Sequence, residues 1–255
     1  MSDPISVDAG EVTTIAVDRS EAMNALTMEA IERLEEAVRD AEEAGARVVV
    51  LAGAGDRAFV AGGDLAAMRE FSPAEADRFA ERGHRLCARL ESFPAPVIAA
   101  IDGPALGAGL ELALACDLRV ASADVVFGEP EIDLGVMPGF GGTQRLPRHV
   151  GDERARRLLF LGERLDAEEA LACGLVGEVV EPGAFTDRIE ELAADIAARP
   201  AKALRGMKAA LNARFDATLA EGLDREREEF RELFGTRDQR EGMAAFLEDR
   251  EPDFE

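Results

Sequence analysis

The sequence predicts an α/β fold made of repeated strand–strand–helix units, followed by a helical tail. Two continuous apolar runs, Val48–Leu51 and Val97–Ile101, are typical of strands buried on both faces of a parallel sheet. Each is followed by a turn containing glycines and then by a helical pattern. From Phe185 onward only helical patterns occur. We therefore divide the chain into a core with the functional site, residues 1–195, and a C-terminal helical region, residues 196–255.

The first part of the chain contains a short alternating strand and two amphipathic helices. Val12–Asp18 has strand alternation, and Thr27 can cap a helix that Gly45 ends. The segment Ala58–Leu65 predicts a short strand interrupted by two glycines. Pro73–Glu91 predicts the second helix, with Phe79, Leu86 and Leu90 directed inward.

The middle of the chain repeats this arrangement. A helix is expected over Ala108–Ala115, and short strands over Leu118–Ala121 and Val125–Phe127. Asp166 followed by Glu169 resembles a capping box at the start of a further helix. Leu175–Val180 is expected to be the last strand, and Pro200 to begin a new helix.

The chain is strongly acidic, with 52 acidic and 29 basic residues and a formal net charge of -23. Only Lys202 and Lys208 are lysines, so 27 of the basic residues are arginines. Such a charge repels phosphate backbones and anionic membranes, which argues against a nucleic-acid or membrane partner. We interpret the acidity as a solubility adaptation to a cytoplasm with concentrated salt, where screening shortens the range of self-repulsion.

No targeting, membrane-spanning or disulfide pattern is visible in the sequence. The N-terminus lacks a basic segment followed by an apolar run, and no run approaches about 18 apolar residues. Cys87, Cys116 and Cys173 are odd in number and widely spaced; for Cys116 and Cys173 we expect buried free thiols. A cytoplasmic protein is therefore expected.

Three common kinds of site do not fit the spacing. Gly107 and Gly139 each begin a Gly-x-Gly, but Leu112 and Gln144 stand where a dinucleotide fingerprint needs its third glycine. His84 and Cys87 share a helix face without a second ligand pair, so no metal is predicted. No nucleophile elbow for a Ser-His-acid triad occurs.

Two small-residue turns instead suit an oxyanion hole. Gly63 follows a short strand, and Ala108 opens the helix after the strand Val97–Ile101. Small side chains leave the backbone N–H groups accessible, and a helix N-terminus adds positive potential. Two such donors can hold the oxygen of an enolate formed from a thioester. Tight turns selected for packing explain the same residues equally well.

Two glutamates follow these turns. Glu111 lies in the first turn of the helix, where it would stabilise the helix dipole, but the apolar flanks Leu110 and Leu112 suggest burial. Glu131 follows Pro130 in a loop that also carries Glu129, and plain solvated surface is a reasonable interpretation there. Neither glutamate is decisive alone.

Taken together, these residues resemble the enoyl-CoA hydratase/isomerase (crotonase) superfamily over nearly the whole chain. The resemblance lies in Asn24–Leu26 and in five longer stretches with its characteristic small, acidic and glycine-rich residues. These stretches are Ala58–Leu65, Ile98–Glu111, Phe127–Glu131, Pro138–Leu146 and, near the end, Asp238–Phe246.

The resemblance implies a crotonase-like spiral of repeated ββα units with a C-terminal helical trimerisation region. It also implies a homotrimer or dimer of trimers that acts on an acyl-CoA thioester, with CoA part of the substrate and no cofactor or metal. By position, Gly63 and Ala108 match the oxyanion-hole donors. Glu111 matches the glutamate that activates water, and Glu131 the one that protonates the α-carbon.

Since both glutamates are present, the resemblance favours an enoyl-CoA hydratase, a hydro-lyase that converts trans-2-enoyl-CoA to 3-hydroxyacyl-CoA as in fatty acid β-oxidation. The alternative is a Δ3-Δ2-enoyl-CoA isomerase or another acyl-CoA enzyme of the superfamily. A non-catalytic or RNA-binding homologue fits the acidity least well. Four residues near Gly63 are expected to contact the substrate: Ala61, Gly62, Asp64 and Leu65.

Two positions depart from the family pattern. Ala108 stands where glycine is frequent, but it still offers its N–H. Glu21 stands where a basic residue often holds the CoA phosphates, so Arg19 or an arginine of the tail is expected to replace it.

Overall fold

The computed structural model describes residues 3–215 and 217–255, which form an α/β architecture with two sheets. The strands are β1 (Ile5–Asp8), β2 (Val12–Val17), β3 (Val48–Gly53), β4 (Val60–Ala61), β5 (Val97–Ile101), β6 (Ala105–Leu106), β7 (Leu118–Ser122), β8 (Val126–Gly128), β9 (Arg164–Asp166) and β10 (Glu178–Val180). The helices are α1 (Met28–Glu43), α2 (Leu65–Met68), α3 (Pro73–Ser92), α4 (Ala108–Leu114), α5 (Gly142–Val150), α6 (Asp152–Leu161), α7 (Ala167–Ala172), α8 (Phe185–Ala197), α9 (Ala201–Ala213), α10 (Leu219–Leu233) and α11 (Arg237–Leu247).

The larger sheet has six strands in the order β1-β2-β3-β5-β7-β10. All its neighbours are parallel except β1 and β2. The two apolar runs of the sequence are the adjacent strands β3 and β5, with Val49 paired to Val97. Both strands are almost entirely buried, as their continuous apolar pattern predicts.

The smaller sheet has the order β4-β6-β8-β9, and only β9 is antiparallel to its neighbour. Along the chain, β3, β5 and β7 enter the larger sheet, and each is followed by a strand of the smaller sheet and then by a helical segment. This alternation confirms the predicted strand–strand–helix units.

Side-chain caps explain where several helices begin. The Thr27 side chain accepts a hydrogen bond from Ala30 N–H, and Ser72 with Glu75 forms a capping box at α3. The predicted capping box of Asp166 and Glu169 is also present. Each cap satisfies N–H groups that a helix otherwise leaves without a partner.

The short strands are where the sequence prediction differs from the structure. The expected strand Ala58–Leu65 is limited to Val60–Ala61, because Asp64 already caps helix α2. The expected strand Leu175–Val180 begins only at Glu178. Strands β1, β6 and β9 were not predicted, since two or three residues are too few to show a period and β1 exposes three of its four residues.

Both faces of the larger sheet are covered. The main core packs one face against α1, α3 and α4. On the other face, α8 lays Phe185, Ile189 and Ala193 over β3, β5 and β7. Burial on both faces explains why these strands lack polar alternation.

The C-terminal helices combine one anchored helix with exposed apolar faces. Helix α9 is anchored to the core through Lys208, whose Nζ donates to Leu90 O, Ala95 O and Asp117 Oδ2. Helices α10 and α11 leave several large apolar side chains exposed: Leu219, Leu223, Phe230, Met243 and Phe246. The division after residue 195, which falls within α8, stays a prediction.

Across residues 3–215 and 217–255, every helix is too short or too polar to cross a lipid bilayer.

Candidate active site

The two predicted oxyanion-hole donors follow neighbouring strands of the smaller sheet. Val60 pairs with Ala105, and Ala61 with Leu106. Gly63 follows Ala61 by two residues and Ala108 follows Leu106 by two residues, so both residues come after the same end of this strand pair. Neither residue's N–H donates to a backbone carbonyl among the described residues. The two N–H groups are therefore free to bind an oxygen atom, although this role stays a prediction.

Helix α4 begins directly against β4. Gly107, which precedes the helix, has φ +52° and ψ -124°, a conformation that favours glycine. A side chain at Gly63 would collide with Met68 Sδ, so Met68 would have to move to accommodate it. Gly63 therefore adds no side chain of its own beside its N–H group.

The four residues predicted to contact substrate lie around Gly63. Ala61 and Gly62 are partly exposed, and Leu65 is exposed at the start of α2. The Asp64 carboxylate is already engaged, because it accepts from Ala66 and Ala67 N–H and pairs with Arg19 at 2.9 Å. Their contact with a substrate stays a prediction, and Arg19 is less free to bind phosphate than the sequence alone suggests.

Glu111 is buried in the first turn of α4, with only 1% of its surface exposed. Its Oε1 accepts hydrogen bonds from Phe140 N–H at 2.7 Å and Gly142 N–H at 2.6 Å. Burial raises the pKa of Glu111 to about 7, although these N–H groups oppose the shift. A carboxyl group with this pKa can accept and return a proton near neutral pH.

Glu131 approaches from the other side, in the 3-10 turn Pro130–Leu134. It is half-buried, and a side chain at Gly107 would collide with its Oε1. Desolvation also raises the pKa of Glu131. The alternative that Glu131 is solvated surface is therefore wrong, and the glycine at position 107 explains how the carboxyl group reaches the start of α4.

Glu129 is the site residue that the sequence reasoning missed. It is fully buried, and an oxygen of each of Glu111, Glu129 and Glu131 lies within 4.8 Å of the other two. We call these residues the three-glutamate cluster. The only sequence signal was that Glu129 follows the buried strand β8 directly, whereas its acidic neighbours favoured a surface loop.

The three-glutamate cluster is also the one group of three or more carboxylates, histidines or cysteines within the described part of the chain that is close enough to share a metal ion. Glu111 Oε1 already accepts hydrogen bonds from two backbone N–H groups, and these bonds favour the ionised form of the carboxyl group. His84 is exposed and Cys87 buried, so the helix face they share forms no ligand pair. The absence of a metal requirement stays a prediction.

Comparisons with known proteins show the family to which the chain belongs. A family model described as enoyl-CoA hydratase/isomerase matches residues 8–255. A short-chain-enoyl-CoA hydratase of Clostridium acetobutylicum is 40% identical, with 94% of this chain and 93% of that protein covered. A crotonyl-CoA hydratase of Syntrophomonas wolfei is 39% identical, with 96% and 94% covered.

A crystal structure of enoyl-CoA hydratase from Bacillus anthracis superposes with a TM-score of 0.94 at 37% identity, covering 98% of each chain. This similarity confirms the crotonase-like α/β fold. The fold, the family model and the relatives agree over nearly the whole length, and the chain belongs to the enoyl-CoA hydratase/isomerase family.

Proposed function

We propose that this protein is an enoyl-CoA hydratase, a hydro-lyase that adds water to a trans-2-enoyl-CoA and forms a 3-hydroxyacyl-CoA. The observation that carries the proposal is the pair of glutamates, Glu111 and Glu131, whose carboxyl oxygens lie within 4.8 Å of each other beside the N-terminus of α4. The hydratases among its relatives, at about 40% identity, support the same reaction.

In the proposed mechanism, the thioester oxygen accepts hydrogen bonds from the N–H groups of Gly63 and Ala108. These donors stabilise the enolate that forms when water attacks, and one such donor is worth about 3 kcal/mol in a transition state. The dipole of α4 adds positive potential at the Ala108 N–H.

Glu111 and Glu131 hold the water that reacts. The water oxygen bonds to the β-carbon while Glu111 takes a water proton, and the electrons of the double bond move into the enolate. The enolate then takes a proton from Glu131 at the α-carbon. Return of the proton from Glu111 to Glu131 restores the starting state, so only water is consumed. The Glu111 carboxyl group is positioned by two backbone N–H groups, and the absence of a side chain at Gly107 leaves room for that of Glu131.

The presence of both acids favours hydration over isomerisation. Moving a double bond transfers one proton between two carbons and leaves a second acid without a role. Hydration needs one group to accept a proton from water and another to protonate carbon.

The test follows the loss of ultraviolet absorbance of the conjugated enone of crotonyl-CoA, at low and at high salt. Glu111→Gln and Glu131→Gln should each lower kcat by about 10²- to 10⁴-fold. Asp133→Asn is the matched control, because Asp133 is exposed on the same 3-10 turn. Wild-type turnover in either glutamine variant would contradict the role proposed for that glutamate. If the protein converted only a 3-enoyl-CoA, the isomerase reaction would take the place of the hydratase proposal.

The substrate proposal includes CoA as a carrier that leaves with the product. Ala61, Gly62, Asp64 and Leu65 are proposed to line the path of the thioester and pantetheine, supported by their position next to Gly63. No further cofactor is needed, since the proposed steps move only protons and a water oxygen. Full activity after dialysis against a chelator would support this, and loss of activity would contradict it.

A homotrimer, or a dimer of trimers, is proposed for the assembly, with helices α9 to α11 as the trimerisation region. The support is the exposed apolar surface, including Phe230 and Phe234, whose rings lie 4.9 Å apart. Soluble monomers rarely leave contiguous apolar patches of this kind uncovered. Light scattering should give three or six times the 27.3 kDa chain mass, and a single-chain mass would contradict the proposal.

A cytoplasmic location in a salt-rich cell is proposed from the net charge of -23. Recovery of the protein in a membrane or secreted fraction of its source cells would contradict it.

A further inference from the structure

Glu129 is the least exposed carboxyl group of the three-glutamate cluster and the one without a role in the proposed reaction. It follows β8 and precedes the 3-10 turn that carries Glu131. Both of its oxygens are buried without a hydrogen-bond donor among the described residues, and so is Oε2 of Glu131. An ionised carboxylate in such a place is very unfavourable, because it has lost its hydration without gaining a hydrogen bond or a cation.

No cation compensates for this burial among the described residues. The charged groups that act on Glu129 are Glu111, from α4, and Glu131, and both repel a negative charge. Arg145 of α5 instead pairs with Glu91 and donates to Phe140 O, and Arg164 of the neighbouring strand β9 is exposed. Burial, followed by these like charges, raises the pKa of Glu129 well above its ordinary value.

A single proton on the pair lets the carboxyl groups of Glu129 and Glu131 form a hydrogen bond with each other. Two ionised carboxylates are acceptors only, so Glu129 and Glu131 cannot bond to each other in that form. An oxygen of Glu129 lies within 4.8 Å of one of Glu131, so with a proton on one of the two groups they can form an O–H···O hydrogen bond that stabilises the other as an anion. Glu129 is fully buried, whereas Glu131 is partly exposed, so Glu129 keeps its proton when the pair holds only one, as it does after Glu131 has protonated the α-carbon.

We propose that Glu129 is a neutral carboxylic acid that donates a hydrogen bond to Glu131 and thereby positions it and stabilises its ionised form. This inference rests on the proposed hydratase function. Glu131 becomes ionised when it gives its proton to the α-carbon, and at that moment the Glu129 O–H donates to the new carboxylate. Glu129 keeps its own proton throughout the cycle, so it is a positioning residue rather than a catalytic one.

Two substitutions separate this role from simple filling of space. Glu129→Gln keeps a donor, because the amide NH₂ can replace the O–H, and should retain kcat within about threefold of the wild type. Glu129→Met keeps a similar volume without a donor and should lower kcat by about ten- to hundredfold, the usual effect of losing a hydrogen bond to a charged group. Equal activity of the two variants, whether high or low, would overturn the proposal.

The pH dependence gives a second kinetic readout. At alkaline pH the Glu129 proton is lost, the donor becomes an acceptor, and a negative charge faces Glu131. Activity of the wild type should therefore fall on the alkaline side. Glu131 must also hold a proton to protonate the α-carbon, so its ionisation contributes to the same fall. Glu129→Gln removes one of the two ionisations and should make the alkaline fall less steep, whereas Asp133→Asn should leave it unchanged. An equally steep alkaline fall in Glu129→Gln would contradict a proton on Glu129.

An infrared measurement tests the proton without any turnover, so that failure of the hydratase proposal and failure of this inference can be told apart. The wild-type protein should show the carbonyl stretch of protonated carboxyl groups at pH values well above 7, and both Glu129 variants should show a weaker band, in which only Glu131 of the pair contributes. Absence of that band in the wild type would overturn the inference even if crotonyl-CoA is hydrated. Loss of the band on addition of Mg²⁺ or Ca²⁺ would do the same, because the cluster would then hold a cation in place of the proton.

Discussion

The Gly142 N–H donates a 2.6 Å hydrogen bond to Glu111 Oε1 and thereby links two helix N-termini across the candidate site. Gly142 is the first residue of α5, and Glu111 lies in the first turn of α4. Both helix dipoles therefore favour negative charge at the same place. The turn Pro138–Gly142 thus holds the buried carboxyl group that the resemblance assigns to water activation.

Replacement of Gly142 by alanine should damage the site without unfolding the protein. A Cβ at this position would lie 2.9 Å from Glu129 Oε1 and 3.1 Å from Glu111 Oε1, so both carboxyl groups would have to move. We expect kcat for crotonyl-CoA to fall by about 10- to 100-fold, since small displacements of reacting groups have effects of this size. Gly139→Ala, in the same turn but with its nearest neighbour at 3.8 Å, should change kcat less than twofold. Comparable losses in both variants would indicate a general disturbance of the turn.

The raised pKa of Glu111 predicts an acid limb in the rate. Glu111 must be ionised to accept a proton from water, and burial raises its pKa to about 7. The value of kcat/KM should therefore fall toward tenfold per pH unit below about pH 7. A profile that stays flat down to about pH 5, near the ordinary carboxyl range, would contradict the role of Glu111 as the base.

The raised pKa of Glu111 also predicts how the free energy of unfolding changes with pH. The folded state holds the Glu111 proton more tightly than the unfolded state. The resulting contribution to the free energy of unfolding is complete below the ordinary glutamate pKa of 4.5. It is lost as the pH rises through about 7, and its size is about 3 kcal/mol. Urea unfolding of Glu111→Gln should show a correspondingly weaker decrease in the free energy of unfolding between these pH values. A parallel decrease in both proteins would show that other groups cause it.

The sequence predicted the long elements and the general place of the site, because those follow from local patterns. The apolar runs of β3 and β5, the cap at Thr27 and the capping box at Asp166 are each visible within a few residues. The surroundings of Glu129 could not be predicted from nearby residues. Its burial results from the meeting of α4, α5 and the 3-10 turn, which are separate in sequence. The partner of Asp64 was hidden for the same reason, because Arg19 lies 45 residues earlier.

Arg57 is expected to assist binding of the CoA phosphates. Its Nη1 donates to Ser20 O and Glu21 O, both at 3.3 Å, so its guanidinium lies where the resemblance expects a basic side chain. Arg19, in contrast, is paired with Asp64. Arg57→Gln should raise KM for crotonyl-CoA about fivefold with little change in kcat, because an exposed ion pair contributes at most about 1 kcal/mol. The KM for crotonyl-pantetheine, which lacks the nucleotide, should not change.

Arg39→Gln is the control for Arg57, since Arg39 is exposed on α1 and pairs only with neighbouring acids. An equal rise in KM for both thioesters would place Arg57 away from the phosphates.

The free energy of unfolding should increase with salt. A net charge of -23 repels itself at low ionic strength, and the screening length falls from about 10 Å at 0.1 M to about 3 Å at 1 M salt. Thermal unfolding in rising KCl should therefore give an increasing Tm, whereas a non-electrolyte at matched osmolality should have a smaller effect. The highest Tm at low salt would contradict the interpretation of the acidic surface.

Lys208 should be one of the most sensitive positions outside the site. It is buried, it donates to three core oxygens, and its pair with Asp117 spans 2.6 Å. Lys208→Met leaves the Asp117 carboxylate without its cation and takes the ammonium donor from two carbonyls, so we expect a loss of about 3–5 kcal/mol in the free energy of unfolding. The other lysine, Lys202, is exposed on the same helix, and Lys202→Met should cost less than about 0.5 kcal/mol.

The double variant Lys208→Met with Asp117→Asn distinguishes a lost charge partner from lost packing. An asparagine at 117 keeps an oxygen that can accept the Val97 N–H, which Asp117 binds at 2.8 Å, but it carries no charge. If the uncompensated carboxylate causes the loss, the double variant should be more stable than Lys208→Met alone, because no buried charge remains. If the double variant is the less stable of the two, the damage comes instead from the contacts that Lys208 makes between α9 and the core.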